Sequence, residues 1–149
     1  MAAPLPSTRK KARQLLIQAL YQWQSAGADI TRIEAEFCAD NGMAKVDAAF
    51  FHELLHGIPR QLVEVDGAYS PFLDRKMGDL DPVSRAVLRL GAYELLYRID
   101  VPYKVVINEA INLAKMFGPT DAHKYINGVL DKVAARARSV ELSATRERS

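Results

Sequence analysis

The chain has 149 residues, 49% apolar and 26% charged, a globular composition that excludes extended disorder. It is long enough to bury a core without staples, and its one cysteine excludes an internal disulfide framework and points to the cytoplasm. No apolar run approaches bilayer-spanning length, and the N-terminus lacks the apolar segment and cleavage site of a signal peptide.

The elements read as helix almost throughout, with no alternating pattern long enough for a strand. Residues 1–7 read as a disordered end. The first helix is expected from about Thr8 to Ser25, burying Ala12, Leu15, Leu16, Ala19, Leu20 and Trp23, and Gly27 ends it. Asp29 reads as the cap of a second helix to about Ala39, and Asn41-Gly42 as a turn. Asp47 caps a third, with Phe50, Phe51, Leu54, Leu55, Ile58, Leu62 and Val65 inward and a kink or break expected at Pro59. Ser70-Pro71 reads as the start of a short helix to about Lys76. Asp81-Pro82 opens a fifth helix to about Arg98, apolar on most sides and therefore central. A sixth runs from about Tyr103 to Phe117, and a seventh, capped by Thr120 or Asp121, to about Arg138. Gly128 in mid-helix suggests a close helix crossing. The whole is an all-α fold of about seven helices in two small packed bundles, about 8–66 and 67–138, with 139–149 a flexible basic tail.

The net charge of +2 is unevenly spread. Residues 1–13 carry Arg9, Lys10, Lys11 and Arg13 and no acid, residues 136–149 carry four arginines against two glutamates, and the stretch between holds 12 basic and 16 acidic residues. Basic ends on an acidic body suit either a polyanion contact or a solubilising tail. Arg9, Arg13, Ile17 and Tyr21 read as one outward stripe, basic at its start and aromatic further along. Cations suit phosphates, and an exposed ring suits an unstacked base.

Other chemistry is thinly supported. His52-Glu53-Leu54-Leu55-His56 fits H-E-x-x-H, the helical spacing that places two imidazoles on zinc. No third ligand follows at the usual spacing, Pro59 replaces the glycine of the extended motif, and His56 shares a polar stripe with Glu53, Arg60 and Glu64. The sequence is therefore read with no metal and no cofactor. Cys38 has no adjacent base and reads as a small buried or half-buried residue. Glycine-rich phosphate loops are absent. Glu94 and Glu109 lack the nucleophile or metal set that catalysis would need.

Residues 83–132, VSRAVLRLGAYELLYRIDVPYKVVINEAINLAKMFGPTDAHKYINGVLDK, and the start KARQLLIQALYQWQ resemble the NusB family of bacterial transcription antitermination factors. The resemblance spans roughly residues 8–135. It implies an RNA-binding protein, not an enzyme. Such a protein binds the single-stranded boxA element of ribosomal RNA leader transcripts together with NusE, a small-subunit ribosomal protein. The assembly then joins NusA, NusG and RNA polymerase. By this resemblance the RNA-binding positions are Arg9, Lys10, Lys11, Arg13, Tyr21, Phe72, Tyr103, Lys104, Lys124, Tyr125 and Asn127. Lysine stands in place of arginine at two of the N-terminal positions, keeping charge but losing the planar fork. Tyr125 also fits the inner stripe of the last helix. Asp121 matches a position linked to the NusE contact and also fits a helix cap. A NusB-like domain also precedes the catalytic domain of some ribosomal RNA cytosine methyltransferases. No methyl-donor domain follows here, so the alternative is a stand-alone RNA-binding domain of that kind. Self-association into a homodimer that buries the RNA face is a further expectation drawn from the family.

Overall fold

A computed structural model describes residues 6–148, with side chains described through Ala144. Among these residues the chain forms eight α-helices and no strand. It divides into two units at Gln61/Leu62, earlier than the boundary near residue 66 that the sequence reading draws.

The first unit holds α1 (Pro6–Ala26), α2 (Ile30–Asp40) and α3 (Ala48–Arg60). Helix α1 already includes Pro6 and Ser7, which the sequence reading leaves disordered; residues 1–5 lie outside the described residues. Proline at the start of a helix forfeits only a donor that has no partner there. Gly27 ends α1 in the left-handed region, φ +63°, donating to Trp23 O at 2.9 Å. Leu16, Leu20, Ile33, Phe51, Leu54 and Ile58 are fully buried and bring the three helices together. Asp47 caps α3 as its position predicts, accepting from Phe50 N–H at 3.1 Å. Asp29 occupies the cap position of α2 without a side-chain cap bond. Pro59 lies in the last turn of α3, and the helix breaks at Gln61 (φ −105°, ψ 28°). The N–H that Pro59 lacks would have donated to Leu55 O, so the last turn of α3 is weakened just ahead of the break.

The second unit holds α4 (Leu62–Tyr69), α5 (Pro82–Tyr97), α6 (Tyr103–Phe117), α7 (Ala122–Ala137) and α8 (Ser139–Arg148). Helix α5 is the central one: α4, α6 and α7 all pack on it. Asp81 caps it by accepting from Ser84 N–H at 2.9 Å. Gly91 is the glycine at a close crossing, because a Cβ there would lie 2.8 Å from Leu130 Cδ1. Gly128, for which that role was expected, faces open space with nothing within 4 Å. No helix of the described residues is long and apolar enough to cross a membrane.

Three further expectations change. The helix expected over 71–76 is instead a single 3₁₀ turn, Ser70–Phe72, followed by an irregular stretch that bends at Asp74 and Arg75 and a second turn, Met77–Asp79. Asp74, Arg75 and Lys76 are all exposed, so this stretch lacks the buried stripe that sustains a short helix. The segment expected as a tail continues as α8, anchored by Glu141, which accepts from Tyr103 N–H at 2.9 Å and from Arg138 Nη1 at 2.6 Å. Arg138 itself is 2% exposed. It donates to the carbonyls of Leu95, Glu94 and Arg98 at 2.9, 3.1 and 2.9 Å. They lie at the carbonyl end of α5, where those of Glu94 and Arg98 also accept from Arg98 N–H and Val101 N–H, so an arginine counted with the basic C-terminal end is a cap for the central helix.

Candidate nucleic-acid interface

In the first unit the middle of the expected outward stripe of α1 is turned inward, while Tyr21 at its end stays exposed. Arg13 is 3% exposed and Ile17 is 2% exposed. The Arg13 guanidinium lies 5.1 Å from the centroid of Phe50, and Arg9 lies 4.7 Å from the same ring. Arg9 also pairs with the Asp47 carboxylate at 3.1 Å. Both arginines thus fasten α1 to the start of α3, through cation–ring attraction worth about 1 kcal/mol each and an ion pair that is largely shielded. The face that does meet solvent carries Lys10, Lys11, Gln18 and Tyr21, the tyrosine 44% exposed. Lys10 and Tyr21 stand close to three full turns apart, so a cation and a ring share that face. The sequence pattern placed the right helix on the surface but rotated the stripe, because arginine stems count as polar in a periodicity and can still pack.

In the second unit the segment 70–76 lies against α7 and organises the rings. Tyr125, in the first turn of α7, is half-buried. Its hydroxyl accepts from Asp74 N–H at 3.3 Å, and Arg75 lies 4.4 Å from its ring centroid. Burial pushes the Tyr125 phenol up from its ordinary value. Arg75 binds the Asp74 carboxylate at 2.8 Å and holds it below the ordinary carboxylate value. Three turns further along α7, Arg136 lies 5.0 Å from the centroid of Phe72, which is half-buried. Tyr125, Lys132 and Arg136 fall on one face of the helix, and Gly128, beside them, is exposed. The sequence reading named Phe72 and Tyr125 but missed Arg75 and Arg136 as their partners. No local spacing announces a contact between residues 50 or more apart, such as Arg75 and Tyr125.

Lys124 is exposed beside Tyr125, and Asn127 is half-buried on the next turn. Asp121 sits at the cap position of α7, but with φ +68° and no side-chain cap bond. Its carboxylate instead meets Lys124 Nζ at 3.4 Å, so the cap expected of its side chain is absent. A cleft of about 230 Å³ opens here, lined by Arg75, Leu80, Asp81, Thr120, Asp121 and Tyr125 among others. Tyr103 and Lys104 start α6. Because the short link at Gly118–Asp121 reverses the chain, they stand at the other end of the α6–α7 hairpin from Lys124, next to α8. Lys104 is exposed and Tyr103 half-buried.

A family model described as the NusB family matches residues 10–135. A protein of Pseudomonas savastanoi pv. phaseolicola named transcription antitermination protein NusB is 57% identical over 136 residues, covering 91% of this chain and 82% of that protein. The chain belongs to the NusB family. Solved NusB structures agree in fold. NusB of T. maritima superposes with a TM-score of 0.77 at 32% identity, covering 91% of this chain and 94% of that one. A crystal structure of the antitermination factors NusB and NusE in complex with double-stranded RNA superposes with a TM-score of 0.79 at 26% identity, covering 87% of this chain and 97% of that one.

Two features that the NusB resemblance did not reveal lie away from the rings. Asp66 takes a two-pronged bond from Arg89, 3.0 Å on each side, and a 2.7 Å bond from the Tyr69 hydroxyl, tying α4 to α5. Glu34, on α2, reaches both histidines of the H-E-x-x-H motif on α3. Cys38, expected to be buried or half-buried, is exposed.

Proposed function

We propose that this chain is a transcription antitermination factor that binds the boxA element of ribosomal RNA leader transcripts as a single strand, together with NusE. One observation carries the reading: along α7, two rings lie beneath cations, Tyr125 with Arg75 and Phe72 with Arg136, while Lys124 and Lys132 stay exposed. A single-stranded RNA needs rings for its bases and cations for its phosphates. The name and high identity of its relatives support the role in antitermination. The similar NusB–NusE–RNA structure supports the pairing of an RNA with this partner.

In this reading Lys10, Lys11 and Tyr21 of the first unit contact RNA. In the second, Phe72, Lys124, Tyr125 and Asn127 do so, with Tyr103 and Lys104 at the other end of the hairpin. Arg9 and Arg13 support the surface from beneath. Asp121, exposed and held out by its left-handed backbone, contacts NusE. The protein works in the cytoplasm, without catalysis, in an assembly with NusA, NusG and RNA polymerase, and a homodimer is its stored form.

The test is a titration of labelled single-stranded boxA RNA, its duplex and a scrambled strand, each with and without NusE. Selective binding of the boxA strand, strengthened by NusE, is the expected result. Equal weak binding of all three RNAs, unchanged by NusE, overturns the assignment.

A further inference from the structure

We propose that Glu34, His52 and His56 form a binding site for a divalent transition-metal ion of the zinc class, clamping α2 to α3. The sequence motif supplies two imidazoles one helical turn apart, and the ligand it lacks downstream comes from upstream. Glu34 Oε2 lies 2.6 Å from His52 Nδ1, and Glu34 Oε1 lies 3.0 Å from His56 Nε2. The two rings are neighbours, their centroids 4.3 Å apart. One ligand atom from each of the three residues lies within 4.8 Å of the others.

Two nitrogens and a carboxylate oxygen are the donor set of open zinc sites. Tetrahedral bonds of ~2.0–2.1 Å put ligand atoms about 3.3 Å apart, so the present spacing requires rotations of side chains and no movement of helices. The groups differ in exposure in a useful way. Glu34 and His56 are about four-fifths covered, which fixes them, while His52 is 63% exposed. Water can therefore complete the coordination from that side. Without an ion the same three side chains form a hydrogen-bonded clasp, and the experiment separates these two states.

Untagged, metal-stripped protein is titrated with zinc against a chromophoric chelator, and with cobalt(II) followed by its visible absorption. Expected are one zinc per chain and cobalt bands typical of a low-coordinate site. Glu34→Gln, His52→Ala and His56→Ala each weaken binding at least about tenfold, as loss of one of three ligands requires. Cys38→Ser and His123→Ala leave it unchanged. Zinc raises the unfolding temperature of the parent protein but not of Glu34→Gln. His52→Ala, at the exposed position, keeps the test valid if His56→Ala does not fold. Zinc bound equally well by Glu34→Gln and His52→Ala, or zinc binding lost in Cys38→Ser, overturns the proposal. So does the absence of any binding by the parent protein.

Discussion

Arg138 shows how a single side chain can outweigh its neighbourhood in sequence. It stands among arginines at a basic end, yet it is the one that closes the carbonyl end of α5 and holds Glu141 of α8. Replacing it by alanine takes the guanidinium donor from the Leu95 carbonyl, removes the second donor of the Glu94 and Arg98 carbonyls, and takes a buried charge from its partner Glu141. The expected cost is about 3 kcal/mol, read as a fall in the urea midpoint. Lysine does not restore the loss, because three acceptors in different directions need the guanidinium fork. Asp121 is a residue-scale case of the opposite kind. Its backbone is left-handed and its carboxylate caps nothing. Asp121→Gly therefore keeps or slightly raises stability, whereas Asp121→Ala costs roughly 1 kcal/mol through backbone strain. If the carboxylate contacts NusE, both variants lose NusE affinity alike. Affinity that instead follows stability, falling in the alanine variant alone, counts against the contact.

At the scale of elements, periodicity revealed where helices lie better than which way they face. The caps Asp47 and Asp81, the central α5 and the stop after Pro59 are all written in local patterns of charge, proline and apolar spacing. The rotation of α1 is not, because Arg9 and Arg13 look polar and pack on Phe50. Nor is α8, whose hold on the fold comes from bonds between Glu141, Arg138 and the start of α6. The glycines of α5 and α7 make the distinction measurable. Alanine at Gly91 meets Leu130 at 2.8 Å and is expected to destabilise by about 1–3 kcal/mol through overpacking. Alanine at Gly128 meets nothing and should stabilise α7 by about 1 kcal/mol. Gly128 lies on the proposed RNA face, so Gly128→Ala is expected to weaken RNA binding while the fold becomes firmer. Thermal unfolding and RNA titration of one variant check both halves. The link between α4 and α5 has a pH signature. Burial, with the bond and charge of Asp66, pushes the Tyr69 phenol well above its ordinary value of 10.0. Folding thus favours the neutral phenol, so its contribution is intact below pH 10 and is lost as pH rises further. Urea midpoints between about pH 8 and 11 should fall less steeply in Tyr69→Phe than in the parent chain.

For the whole molecule, the family is legible in the sequence because its long runs of matched residues include the core of α5, α6 and α7 as well as their surface. The functional surface is legible only in part. Lysines and exposed rings can be named from the chain, but the cations above Phe72 and Tyr125 come from elements far apart in sequence. That difference separates two ways in which the protein could hold RNA. A net charge of only +2 means that attraction must come from local patches and not from the field of the entire molecule. Each lysine that neutralises a phosphate of a single strand contributes about 0.7 to the slope of log affinity against log salt. Lys10→Gln with Lys11→Gln, and separately Lys124→Gln with Lys132→Gln, are therefore expected to flatten that slope by up to about 1.4 each. Combined, they flatten it by the sum if one RNA engages both units at once. Tyr125→Ala should behave differently, lowering affinity by about 1–3 kcal/mol at every salt concentration and leaving the slope alone. The measurement is fluorescence anisotropy with labelled boxA RNA at several salt concentrations. A slope that responds to the α7 pair and ignores the α1 pair would confine RNA to the second unit, leaving the basic face of α1 as a solubilising surface.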